Sequence, residues 1–192
     1  MPVLEVHLLE GYSPEERRRL AESLTDATRM VVPAPAEAIT VILHEMSGDN
    51  YYRGRTTRQG AAALPDPCAN VLSFLESLGS REFEKAKLHL ADGFSMHFPG
   101  AEPMFDLHEF VEWSKPRYSS IEKHIEGTEA FGSPDGITVV YCRGTLSGVW
   151  VDGSSFDGIR FIDRFELVGG RIQRQEVWND LGESQRLLAT NR

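Results

Sequence analysis

A proline at position 2 is the feature of this 192-residue chain with the sharpest chemical potential. A small second residue normally permits removal of Met1, and the chain then begins with a secondary amine. An α-amine titrates at about 7.7–8.0 in water. Desolvation or a neighbouring guanidinium lowers that value, which gives a general base poised near neutral pH. With Met1 retained, the same nitrogen is a tertiary amide without basicity, and Pro2 then merely starts an edge strand. A second group is Tyr51-Tyr52-Arg53-Gly54-Arg55, followed by Arg58. Arg53 or Arg55 could hold a carboxylate in a bidentate fork, with Tyr51 as a wall, or could serve as surface or subunit-contact residues. A third candidate is Asp163. Ile159, Phe161, Asp163, Phe165 and Leu167 share one face of a strand, so Asp163 is a carboxyl group in an apolar row. Buried there it is an acid or base, or else the partner of an arginine such as Arg143. His97 precedes a Pro-Gly turn and is either a proton carrier or a hydrogen-bonded structural residue. Tyr141 and Arg143 share a strand face and could reach the same cavity. Tyr118, His124 and Trp178 could line it, or pack in the core or at its rim. No His-x-x-x-His or Glu-x-x-His spacing points to a metal.

These residues need elements to hold them. Residues 3–9 read as a short apolar strand. Ser13-Pro14-x-Glu16 is a capping box with proline in the first turn, and Leu20, Leu24, Ala27 and Val31 follow as one helical stripe. Pro33 and Pro35 end it. Ile39–Leu43 is a second strand, so the expected unit is βαβ with parallel strands. The stretch Gly60–Pro67 breaks the pattern and reads as a linker. Beyond it, Val71, Phe74, Leu75 and Leu78 form one helical stripe, and Phe83, Ala86 and Leu90 a second. Asp106 and Glu109 cap a third helix that carries Leu107, Phe110 and Val111. Four long strands are expected at 121–131, 136–151, 157–168 and 171–179, joined by turn signals such as Ser133-Pro134-Asp135-Gly136, Asp152-Gly153 and Gly169-Gly170. The expected organisation is residues 1–62, a linker over 63–69, and 70–192. The fold class is α+β, with helices on one face of a curved antiparallel sheet.

Composition narrows the function. Twenty-nine acids against 20 bases give a net charge of −9, which disfavours nucleic acid as a partner. No apolar run approaches the ~18 residues of a membrane span, and the N-terminus lacks the basic region and apolar core of a signal peptide. Cys68 and Cys142 are too few for a disulfide scaffold or a thiolate zinc site. The expected setting is the cytoplasm. The chain has no phosphate loop, dinucleotide fingerprint or serine nucleophile elbow, and no cofactor is expected. A segment of roughly 65 residues is near the lower limit for independent stability, and a βαβ unit that small leaves one sheet face bare, so self-association is expected.

Pro2-Val3-Leu4-Glu5-Val6-His7-Leu8-Leu9-Glu10-Gly11, the Ser13-x-x-Glu16 helix start and Val41-Ile42-Leu43-His44-Glu45-Met46 resemble the 4-oxalocrotonate tautomerase family over about residues 2–58. The resemblance implies a βαβ unit assembled into dimers or hexamers, with Pro2 moving a proton between carbon and oxygen of an enol acid. Tyr12 and Thr40 stand where the family often carries substrate-binding arginines, and Tyr51 matches the aromatic wall of the pocket. The stretches 71–76, 94–100 and 158–166 resemble the SnoaL-like family of the ketosteroid-isomerase and nuclear-transport-factor-like superfamily, over about residues 69–188. That resemblance implies a cone-shaped pocket between helices and sheet, and often a dimer. Together the two imply an isomerase acting on a small carbonyl or enol acid. The second pocket would use Asp163 and His97 for a related isomerisation or cyclisation, as in polyketide-like metabolism. The alternative is a ligand-binding second domain with the first serving assembly.

Overall fold

Two units make up the chain, Met1–Ala63 and Leu64–Arg192, in a computed structural model that describes residues 1–190. The last two residues of the expected second domain lie outside the described residues.

In the first unit, β1 (Val3–Leu9) and β2 (Thr40–Met46) pair in parallel, Val3 opposite Thr40 through Leu9 opposite Met46. Helix α1 (Pro14–Arg29) joins them. The capping box forms as read from the sequence: the Ser13 N–H donates to Glu16 Oε2 at 2.7 Å, and the Glu16 N–H donates to Ser13 Oγ at 3.3 Å. Side-chain alternation divides the two strands into faces. Leu4, Val6, Leu8, Val41 and Leu43 are half-buried on one, whereas Val3, Glu5, His7, Ile42 and His44 are exposed on the other. Arg17 of α1 pairs with Glu45. A short hairpin follows, β3 (Tyr52–Arg53) against β4 (Thr56–Thr57). Its turn was not read from the sequence, and it places Gly54 and Arg55 at positive φ, +57° and +72°. The buried apolar side chains of the described residues all lie at position 71 or beyond, so this unit has no dry core of its own.

The second unit is α+β. Helix α2 (Pro67–Gly79) is capped by Asp66, and it starts inside the segment expected to be linker. A proline at the first helical position costs no hydrogen bond, so the Asp66-Pro67 pair starts a helix here and does not merely extend the linker. Short α3 (Phe83–Lys87), β5 (Leu90–His97) and α4 (Leu107–Ser114) follow. The sheet has the order β5-β9-β8-β7-β6, with β6 (Tyr118–Gly132), β7 (Thr138–Trp150), β8 (Ser155–Val168) and β9 (Arg171–Asn179) antiparallel in sequence, and β5 parallel to β9 at the edge. Helix α5 (Leu181–Thr190) closes the described chain. Bulges in β6 and β7 bend the ladder and give the sheet a concave side. Phe74, Phe94, Met96, Leu107, Val140, Cys142, Phe161, Phe165 and Ile172 fill the core on that side.

Candidate active sites

Each unit carries a cavity. The first, of about 430 Å³, lies at the C-terminal end of β1 and β2. His7, Leu8, Leu9 and Met46 form its floor, and Tyr51, Arg53, Arg58 and Gln59 surround it. Two guanidinium groups beside an aromatic wall suit a carboxylate with a flat body. Of the two arginines favoured from sequence, Arg53 lines this cavity and Arg55 does not. Arg55 occupies the positive-φ corner of the hairpin, and Arg58, beyond β4, takes its place. The Arg58 N–H donates to the Tyr51 carbonyl at 3.2 Å, which ties the segment after β4 to the one before β3. Gly48 is buried beneath this loop, and a Cβ there would lie 2.7 Å from the Arg58 carbonyl oxygen.

Pro2 sits at the other end of the sheet. Its carbonyl accepts from the Thr40 N–H at 3.1 Å. With a rise of roughly 3.3 Å per residue, the seven steps from Pro2 to Leu9 separate the two ends by about 23 Å. One copy of the chain therefore does not bring Pro2 together with Tyr51 and Arg53. The bare face between them holds a cluster that no local spacing announces. His7 and His44 stack at 4.7 Å across the strand pair, His44 Nε2 lies 3.7 Å from Glu5 Oε2, and the three residues offer donor atoms within 4.8 Å of one another.

The second cavity, of about 410 Å³, opens on the concave side of the larger sheet. One part of its wall is apolar and aromatic, with Leu75 and Leu78 from α2, Phe110 and Trp113 from α4, then Phe98, Ile121, Leu146 and Trp150, while Arg117, Asp180, Glu183 and Arg186 also line it. Phe98 stacks on Phe110 at 5.0 Å and leans on Trp113 at 4.9 Å, and the Arg117 guanidinium lies 3.9 Å over the Trp113 ring. Tyr118 lines the cavity as expected. Burial pushes its phenol pKa up, and the Ser114 hydroxyl partly offsets the shift.

Asp163 is fully buried, as its apolar row required. Its partner is not Arg143. The Lys123 ammonium donates to Asp163 Oδ2, and Gln175 Nε2 donates to the same oxygen at 3.1 Å. Lys123 and Gln175 line the cavity and Asp163 lies behind them, so the carboxylate holds the polar floor without being part of the lining. Lys123 also lies 4.3 Å over the Phe161 ring. Sequence reasoning missed Lys123, yet the signal was the one that found Asp163: Ile121, Lys123 and Ile125 alternate on β6 as a cation in an apolar row.

Five other expected residues are not in this cavity. Strand parity sends them to the outer face of the sheet. His97 lies opposite Glu176 and shares a 3.2 Å hydrogen bond with Ser95, on the opposite side from core residues Phe94 and Met96. Asp163 and His97 therefore do not form a pair. Tyr141 stacks on Phe131, and Arg143 pairs with Glu126 and Glu129 at 3.7 and 3.5 Å. Trp178, opposite Ile162, is 52% exposed. His124 is likewise exposed.

Known proteins resemble each part of the chain. A family described as Tautomerase enzyme matches residues 2–57. A probable tautomerase of Halalkalibacterium halodurans is 43% identical over 51 residues, 27% of this chain and 84% of that protein. The chain belongs to the tautomerase family. This family membership makes it an enzyme of the isomerase class. The 2-hydroxymuconate tautomerase of Bacillus subtilis is 39% identical over 51 residues, 27% of this chain and 82% of that protein. For the remainder, an NTF2-like protein of unknown function from Burkholderia pseudomallei K96243 superposes with a TM-score of 0.53 at 18% identity, covering 63% of this chain and 95% of that structure. That likeness establishes an NTF2-like fold in a chain whose first unit belongs to the tautomerase family. Among the described residues, no helix is long and apolar enough to cross a membrane.

Proposed function

We propose that the tautomerase unit moves a proton between carbon and oxygen of a small keto or enol acid, with the amine of Pro2 as base once Met1 is removed. The observation that carries this reading is the family match, which starts at Pro2 itself. Pro2 takes the proton from the carbon next to the carbonyl and returns it to the other end of the enol. Stabilising the enolate oxygen is the larger electrostatic task in such a step. Arg53 and Arg58 are the groups in this unit suited to it, and they also suit the substrate carboxylate. Because Pro2 and these arginines lie at opposite ends of β1, the working site requires a second copy whose hairpin end meets the first copy's Pro2. The bare face of the sheet, with Val3 57% and Ile42 38% exposed, supplies apolar surface for that assembly. The substrate class follows the Bacillus subtilis relative, whose name specifies 2-hydroxymuconate. The NTF2-like unit binds a second small molecule or performs a related step in the concave cavity.

Tyr12 and Thr40, at positions where the family often has arginine, favour a second reading in which the first unit serves assembly alone. One experiment separates the two. Keto–enol exchange of phenylpyruvate and of 2-hydroxymuconate is followed for the wild type and for Pro2→Ala, with intact mass reporting the loss of Met1. General acid–base catalysis contributes about 10²–10⁴-fold, so Pro2→Ala is expected to lower kcat/KM by that factor. Equal rates for the two proteins, or a retained Met1 on active protein, would refute proline catalysis.

A further inference from the structure

The polar floor of the concave cavity has donors and acceptors that the protein does not use up. Four adjacent strands build it. Lys123 on β6 reaches Asp163 on β8, and Gln175 on β9 donates to the same carboxylate oxygen. The strand between them, β7, carries Gly144 in register with Phe161, and Lys123 lies over that Phe161 ring. An ammonium has three N–H donors and Asp163 takes one of them. The amide of Gln175 is oriented by Asp163, which must receive its N–H, so Oε1 is the free end. It is buried without a partner in a residue that is 1% exposed. Buried polar atoms are nearly always paired, and an orphan acceptor in a cavity wall therefore points to a ligand donor.

We propose that this floor binds the hydroxyl group of a flat, two- or three-ring phenol or enol whose rings fill the aromatic part of the cavity. A hydroxyl is the group that answers both needs at once: its oxygen accepts from Lys123 Nζ, and its proton goes to Gln175 Oε1. A carboxylate fits less well. Asp163 already cancels the Lys123 charge, and an anion would face the Gln175 carbonyl oxygen without a proton to offer it. An apolar isostere would leave Oε1 unpaired, which binding sites built on hydrogen bonds penalise strongly. The ring part is set by the aromatic cluster of Phe98, Phe110 and Trp113, which lines a volume of about 410 Å³. Lys123 also stabilises negative charge on that oxygen if the hydroxyl ionises, whereas Asp163 is a positioning residue that acts through Lys123 and Gln175. This inference rests on the NTF2-like unit being a ligand-binding domain and does not involve Pro2.

Equilibrium dialysis of the full chain against 2-naphthol, 2-methylnaphthalene and 2-naphthoate tests it. The expected result is 2-naphthol at least tenfold tighter than either of the others. Lys123→Met and Gln175→Leu should each abolish that preference while 2-methylnaphthalene still binds. Gln175→Leu, which keeps the Lys123–Asp163 pair, decides the matter if Lys123→Met does not fold. On a Pro2→Ala background the preference should be unchanged, so its loss and the loss of tautomerase activity are separable results. Binding of 2-methylnaphthalene or 2-naphthoate as tight as that of 2-naphthol, a preference that survives Gln175→Leu, or no binding of any probe would overturn the proposal.

Discussion

Lys123→Met and Asp163→Asn, made singly and together, should have unequal costs, and the structure sets the order. Asp163 is 0% exposed, and Oδ2 carries both of its hydrogen bonds while Oδ1 has no partner. Removing Lys123 leaves a buried carboxylate with Gln175 as its one donor, and stripping a buried pair of one member costs about 3–5 kcal/mol. Removing the charge of Asp163 is milder. The Lys123 side chain is 28% exposed along the cavity, so its ammonium can turn towards water, and the cost falls to roughly 1–2 kcal/mol. The double variant should be less destabilised than the sum of the two, by a coupling energy of about 2 kcal/mol. Trp113, Trp150 and Trp178 all belong to the second unit, so tryptophan fluorescence in urea reports that unit alone. With an m-value of about 1–3 kcal/mol/M, Lys123→Met should move the midpoint down by at least ~1 M. A shift under roughly 0.3 M, or a larger loss for Asp163→Asn than for Lys123→Met, would refute the reasoning that the carboxylate depends on this lysine.

Three further outcomes follow from the same geometry. A Cβ at Gly144 would lie 1.9 Å from the His124 carbonyl oxygen, so Gly144→Ala should destabilise the protein by about 3 kcal/mol or prevent folding, whereas Gly79→Ala, with nothing within 4 Å, should be neutral or slightly stabilising in the same urea titration. Burial, aided by the charge of Asp163, pushes the Cys142 thiol up to about 11, so iodoacetamide at pH 8 should leave it unmodified until the protein unfolds; peptide mass mapping that finds it alkylated in the folded state would contradict this. Burial also holds His89 below its ordinary value of 6.5, so the unfolded chain takes up the proton first, and the stability associated with this neutral imidazole is present above pH 6.5 and is lost as pH falls below it; His89→Gln should flatten that part of the stability profile, and an unchanged slope would exclude His89 as its source.

What the sequence made legible was whatever follows from local periodicity. The Ser13 and Asp106 capping boxes, the parallel βαβ order and the four long strands all depend on spacing within one element, and each appears where the pattern placed it. Asp163 was legible for the same reason. The other site residues depended on which face of a strand points inward, and for single strands with mixed composition that is undetermined. Tyr141 and Arg143 do share a face, but Val140 and Cys142 own the core side, so the shared face is the outer one. His97 was misplaced in the same way by its neighbours Phe94 and Met96. Lys123 carried the same local signal as Asp163, a charge alternating with Ile121 and Ile125, whereas Gln175 and the His7–His44 stack arise from register between distant strands, which no local window contains. The hairpin that exchanges Arg55 for Arg58 depends on a left-handed turn that uses a non-glycine residue, and composition gives no warning of it.

The first unit has one more consequence that its lack of a core imposes. A 63-residue segment without a fully buried apolar side chain has little burial to set against its conformational entropy. Its two strands cover each other's edges on one side alone, and α1 covers one face of a two-stranded sheet. On the two-copy reading proposed above, the missing stability comes from a second copy laid on the exposed face of Val3 and Ile42, and stability that comes from association depends on concentration. For a dimer whose monomer is unfolded, each tenfold dilution removes about 1.4 kcal/mol. Hydrogen exchange read by mass spectrometry resolves this by segment. Protection of residues 3–9 and 40–46 should fall as the protein is diluted a hundredfold, while that of 138–168, which lies in a sheet with its own dry core, should stay constant. Equal protection of 3–9 and 40–46 at both concentrations would show that this unit holds its sheet without a partner, and the two-copy site drawn around Pro2 would lose its physical basis.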